Sequence, residues 1–92
     1  MEIPQILAVR PLEDKKLLVK FRNGVEKIYD CEHILQLEAF QLLHHEAFFQ
    51  AVQVDPGGYG ISWNDQIDLS EYELWTNGFE LVLARPTQSN AI

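Results

Sequence analysis

The stretch "LLVKFRNGVEKIYD" (residues 17–30) is where the fold is decided. Leu17, Val19 and Phe21 point one way along an extended chain, and Lys16, Leu18 and Lys20 point the other. Alternation with a period of two is the mark of a half-buried strand. Asn23-Gly24 comes next, a pair that tolerates the positive φ of a primed hairpin turn. Val25, Lys27 and Tyr29 then alternate with Glu26, Ile28 and Asp30. The stretch predicts an antiparallel hairpin with an apolar side.

Upstream, "QILAVRPL" (5–12) reads as a further strand, joined to the hairpin through "EDK" (13–15). Its faces do not separate cleanly, because Ile6, Ala8 and Arg10 alternate with Leu7, Val9 and Pro11. The result is a three-stranded N-terminal meander. Downstream, residues 31–52 contain neither Gly nor Pro, and Asp30 suits an N-cap. Apolar residues recur there at mixed helical spacings whose phase drifts. That drift predicts shorter helical segments with a break near residues 37–39.

A second hairpin follows in "VQVDPGGYGISW" (52–63), with Pro56-Gly57-Gly58 as turn chemistry. "NDQ" (64–66) makes another turn, and "IDLSEYELW" (67–75) enters a helix. Ser70 and Glu73 have capping-box spacing, Asp68 is placed to help the cap, and Asn77-Gly78 reads as the stop. "FELVLA" (79–84) is expected to add a short strand or a packing arm. The expected fold class is α+β: an antiparallel sheet of meander plus second hairpin, with two or three short helices packed on one face. Residues 1–83 are expected to form a single domain and residues 84–92 a flexible tail.

The chain has 92 residues, 47% hydrophobic and 23% charged, which is globular rather than disordered composition. No run of apolar residues is long enough for a membrane helix, and the first residues lack the basic and apolar regions of a signal peptide. With a single cysteine, Cys31, the expectation is a cytoplasmic protein. The net charge is −7, unevenly spread. Residues 1–30 hold six basic residues against five acids, whereas residues 31–92 hold Arg85 against nine acids. Most of the surface should repel a phosphate backbone, leaving a local basic patch at Lys16, Lys20 and Arg22 as the place for nucleic acid.

The residues that carry chemistry each have a structural reading. His44 and His45 are adjacent and point about 100° apart on a helix, so they share a metal poorly. Cys31 and His33 lack a second ligand pair. At i, i+2 they also do not face each other as nucleophile and base. "GGYG" (57–60) lacks the spacing of a phosphate-binding loop. The carboxylates Asp55, Asp65, Asp68, Glu71 and Glu73 have no base or nucleophile converging on them in the sequence pattern. No catalytic residue, cofactor-binding residue or metal ligand is assigned. Trp63 is expected to close the core. Tyr59, Tyr72, Trp75, Phe79, Leu81 and Leu83 are candidate interface residues, because exposed aromatics are enriched at protein interfaces.

The order of these features resembles the bacterial family catalogued as domain of unknown function 2442. The resemblance rests on Phe21, Gly24, Asp30, Phe40, Leu43, Phe49, Val52, Val54, Asp55, Trp63, Asp68 and Leu74, over about residues 4–75. Glu71 departs from the pattern, where the family often has proline, and the turn after Trp63 lacks the common glycine. The resemblance implies a small α+β fold with helices on one face of an antiparallel sheet. It also implies a link to helix-turn-helix domains in some relatives and to two-protein, toxin–antitoxin-like operons in others.

The expected function is a non-enzymatic protein-interaction module, homo-oligomeric (a dimer) or bound to a small protein partner. One alternative is a nucleic-acid-linked regulator that uses the basic meander. Another is a small-molecule binder or enzyme around Trp63, Asp65 and Asp68. No cofactor and no membrane association is expected.

Overall fold

The structure, a computed structural model, describes residues 2–81. Leu83 and the tail expected at 84–92 lie outside the described residues. The meander is present as β1 (Ile6–Leu12), β2 (Lys16–Phe21) and β3 (Glu26–Asp30). β4 (Gln53–Val54), β5 (Gly60–Ser62) and β6 (Asp68–Ser70) form a second antiparallel sheet of order β4-β5-β6. β7 (Phe79–Glu80) returns to the first sheet and pairs antiparallel with β3, giving the order β1-β2-β3-β7. The fold is α+β, as the sequence implies.

The mixed pattern of β1 has a specific cause. Ile6 is opposite Phe21, but Ala8 is opposite Lys20, so the register slips by a residue at Leu7. This β-bulge exchanges the two sides of the strand. Ile6, Val9 and Pro11 therefore share the core side with Phe21, Val19 and Leu17, although their spacing in sequence is irregular.

The β2–β3 turn also differs from the expected primed turn. Lys20 is opposite Glu26, the Phe21 amide donates to the Val25 carbonyl, and residues 22–24 form the loop. Gly24 alone of these has positive φ, at 91°. The Gly24 amide donates to the Phe21 carbonyl, and Asn23 Oδ1 accepts from the Val25 amide. A turn closed by a glycine bulge needs one positive φ where a primed Asn-Gly turn needs two.

Between the sheets lie two 3₁₀ segments, Cys31–Gln36 and Glu38–His44, and the short helix α1 (Glu46–Phe49). Asp30 caps the first, its carboxylate accepting from the Glu32 amide at 2.9 Å. The predicted break falls at Leu37, which is extended, and a second falls at His45. With interruptions this close, the chain tightens into 3₁₀ turns instead of propagating an α-helix.

α2 (Glu71–Asn77) follows β6 directly, and Ser70 caps it by accepting from the Glu73 amide at 3.1 Å. Two expectations are corrected here. Asp68 lies in β6 opposite Ser62 and is exposed, so it does not cap the helix. Glu73 does not reach back to Ser70; its carboxylate accepts from Tyr29. Gly78 ends the helix at an ordinary negative φ. A side chain there would approach the Leu74 carbonyl to 2.7 Å, which is why glycine is required.

The core joins the inner side of the first sheet (Leu17, Val19, Phe21, Tyr29) to the helical turns (Cys31, Ile34, Leu43, Phe49, Leu74), the second sheet (Ile61, Leu69) and Trp63 just after β5. Trp63 is buried, stacks on Phe49, and donates its indole N–H to the Phe49 carbonyl. Trp75 packs edge-on against Phe21 with the Lys27 ammonium over its face; the ammonium also bonds the Trp75 carbonyl. Lys27 thus serves the C-terminal end of α2, whose last turn has no basic residue of its own.

Candidate functional site

The inner side of the four-stranded sheet is covered by the core. Its outer side is built by the alternate residues of the same strands, and the register arranges these in rows. The central row runs Arg10, Leu18, Ile28, Phe79. Beside it lie Ala8, Lys20 and Glu26, with Leu81 donating its amide to the Glu26 carbonyl. On the other side lie Leu12, Lys16 and Asp30. Phe79 is 73% exposed, the most exposed large hydrophobic residue among those described. Leu18 and Ile28 are half-buried, by their neighbours on the sheet.

Charge is ordered across this face. Arg10, Lys16 and Lys20 stand on β1 and β2, and Glu26 and Asp30 stand on β3. Lys16 and Asp30 approach to 4.0 Å. A shallow depression of about 360 Å³ is sunk into the basic half, lined by Ala8, Val9, Arg10, Leu18, Lys20 and Glu26.

The candidate residues are thereby sorted. Phe79 and Leu81, read as interface residues, share one face with Lys16 and Lys20, read as a basic patch. Arg22 is exposed at the adjoining turn. Tyr59 (58% exposed) and Tyr72 (60% exposed) are not part of this face. Tyr59 sits beyond the second-hairpin turn, its hydroxyl accepting from Gln5 Nε2 at 3.0 Å. Tyr72 is on α2. Trp75 is partly buried against the core and occupied by Lys27.

The region around Trp63, Asp65 and Asp68 is an open depression of about 520 Å³, lined also by Ala51, Gln53, Ser62 and Asn64. Some of its polar groups are committed within the fold. Ser62 donates to Asp55 at 2.7 Å, and Asn64 Oδ1 accepts from the amides of Gln66 and Ile67 to close the turn. The lining holds two carboxylates and neither a histidine nor a cysteine to act with them.

One polar cluster escaped the sequence reading. The buried Tyr29 hydroxyl donates to Glu73 Oε2 at 2.7 Å, which leaves its oxygen to accept from His33 Nε2 at 3.1 Å. Burial, then the hydrogen bond to Glu73, pushes the phenol far above its ordinary value. The cluster ties β3, the first 3₁₀ segment and α2 together. Glu73 already had an explanation as half of a capping box, and that hid it. Next to it, burial and then Asp30 push the Cys31 thiol up to about 12, so it is not a thiolate nucleophile at neutral pH. Among the described residues, no three of His, Cys, Asp and Glu converge as metal ligands would.

The fold and its open face define a class: a small α+β domain of two antiparallel sheets, in which the described residues leave the outer side of the larger sheet uncovered. Residues 6–80 match the family model described as "Protein of unknown function (DUF2442)", and the chain belongs to that family. No curated protein and no solved structure matches the chain. Among the described residues no helix is long and apolar enough to cross a membrane.

Proposed function

We propose that this chain is a non-enzymatic protein-interaction module of the bacterial cytoplasm, and that the outer side of the four-stranded sheet is its contact surface. One observation carries the reading: the row Leu18, Ile28, Phe79 crosses that side with Phe79 73% exposed. A sheet face that only meets water is normally polar. Apolar residues in a patch rimmed by charge are the composition of an interface centre. The reading takes in a second copy of the chain and, from the two-protein operon arrangement implied by the family resemblance, a small cognate protein.

The test is affinity capture of the tagged full-length chain from its own host, beside a Phe79→Ser variant of unchanged circular dichroism. A protein held by the wild type and released by the variant is the expected result. Equal recovery with both removes the face from the proposal.

A direct nucleic-acid role for Lys16, Lys20 and Arg22 has less support. Lys16 faces Asp30 and Lys20 faces Glu26, so a phosphate brought to either lysine also meets a carboxylate.

A further inference from the structure

We propose, on the strength of that reading, that the occupant of the outer face is a second copy of this chain, docked face to face about a twofold axis. The axis lies in the plane of the face, parallel to the strands and between β2 and β3. Rotation about it places β2 over β3 of the second copy and β1 over β7 of the second copy. Each outward residue then stands above the counterpart of its own row partner.

The observed rows make this arrangement self-complementary. Lys16 meets Asp30 of the second copy, and Lys20 meets Glu26 of the second copy. Leu18 meets Ile28 of the second copy at the centre. Arg10 meets Phe79 of the second copy, a guanidinium over an aromatic ring. Each contact occurs twice, as an isologous interface requires. The segregation of cations on β1 and β2 from carboxylates on β3 is what this symmetry needs; cations spread over the whole face would repel their own copies. The relief agrees as well. Phe79 projects from the β7 edge, and the depression lined by Ala8, Arg10 and Leu18 lies at the position the second copy's Phe79 reaches. Both aromatic rings are seated at once, so the contact closes as a dimer and does not propagate.

The face spans about 19 Å across the strands and about 17 Å along them, from ordinary strand spacing and rise. In projection the two faces together come to about 650 Å², which places the contact in the weak, transient class below the roughly 1,200 Å² of standard specific interfaces. Self-association is therefore expected to be weak and concentration-dependent.

Sedimentation equilibrium of the full chain from about 1 µM to about 500 µM should show a monomer–dimer equilibrium. Phe79→Ala should raise the dissociation constant by about 30-fold or more, as loss of a central aromatic anchor does. The decisive arm is a charge swap. Lys20→Glu alone puts like charges face to face twice, and Glu26→Lys alone does the same. Each should weaken self-association by about 10-fold or more. An equimolar mixture of the two variants restores both cross-pairs, so it should form a heterodimer of wild-type strength, counted by native mass spectrometry with one variant ¹⁵N-labelled. A change confined to each chain's own Lys20–Glu26 pair cannot be repaired by mixing.

A mixture no tighter than its components overturns the proposal. A strict monomer across the range overturns it too, whether residues 82–92 or another protein then covers the face. In that case capture of a protein through Phe79 keeps the broader interaction reading, and its absence ends both.

Discussion

Gly58→Ala tests the way the two sheets are joined, with Gly24→Ala as its internal control. Both glycines have positive φ, 78° and 91°, so both variants strain the backbone. At Gly24 a Cβ meets nothing within 4 Å, and the cost is that strain alone, about 1 kcal/mol. At Gly58 the Cβ would stand 2.5 Å from the Ile6 carbonyl oxygen and 2.9 Å from the Ile6 nitrogen. Those are backbone atoms of β1, beside its bulge, so no side-chain rotation relieves the clash. Relief requires the turn of the second hairpin to move off the first sheet, which opens packing around Ile6. The expected total is about 4 kcal/mol, in the range reserved for core disruption. That is a large part of the roughly 5–14 kcal/mol available to a domain of this length. Urea unfolding followed by far-ultraviolet circular dichroism measures both variants, with the midpoint of Gly58→Ala expected well below that of Gly24→Ala. Costs within about 1 kcal/mol of each other would refute the claim that the turn is wedged against β1.

Two further outcomes concern the buried polar groups. Tyr29→Phe removes the hydroxyl shared by Glu73 and His33 while keeping the ring, and should cost about 1.5 kcal/mol in the same urea assay. Stability should also fall as pH rises above about 9, because the unfolded chain releases the Cys31 proton near the ordinary value of 9.0 while the folded chain holds it to about 12. Tyr29, also raised on folding, adds a fall in the same direction beginning near 10.0. The unfolded state then binds fewer protons than the folded one, so the slope of stability with pH is negative. The two groups together give about 2 kcal/mol of loss by about pH 10, of which Cys31→Ala should remove the larger part.

The β2–β3 hairpin was legible because its alternation is uninterrupted and Leu17, Val19, Phe21 and Tyr29 on one side of it are fully buried. β1 was blurred because a bulge at Leu7 exchanges its faces, and a bulge has no fixed sequence signature. The helical stretch was legible in its breaks but not in its 3₁₀ geometry, which follows from the short distance between interruptions. The outer face was legible only in pieces. Lys16 and Lys20 were visible as charges, and Phe79 and Leu81 as apolar residues of a short strand. Nothing local says that Phe79 stands beside Ile28, 51 positions earlier. That neighbourhood depends on the return of the chain to β3, a non-local pairing. Glu73 shows the opposite failure: a sufficient local role concealed a long-range one.

The two tryptophans occupy different halves of the molecule, Trp63 against Phe49 at the end of the second sheet's β5 and Trp75 between Phe21 and the Lys27 ammonium against the first. Their surroundings are unlike, one an apolar stack and the other beneath a positive charge. Nature has in effect supplied a separate optical reporter for each sheet. Single-tryptophan versions retaining one or the other can therefore time the loosening of each half by fluorescence. Coincident traces would describe one folding unit, and separated ones would describe a second sheet that lets go of the first.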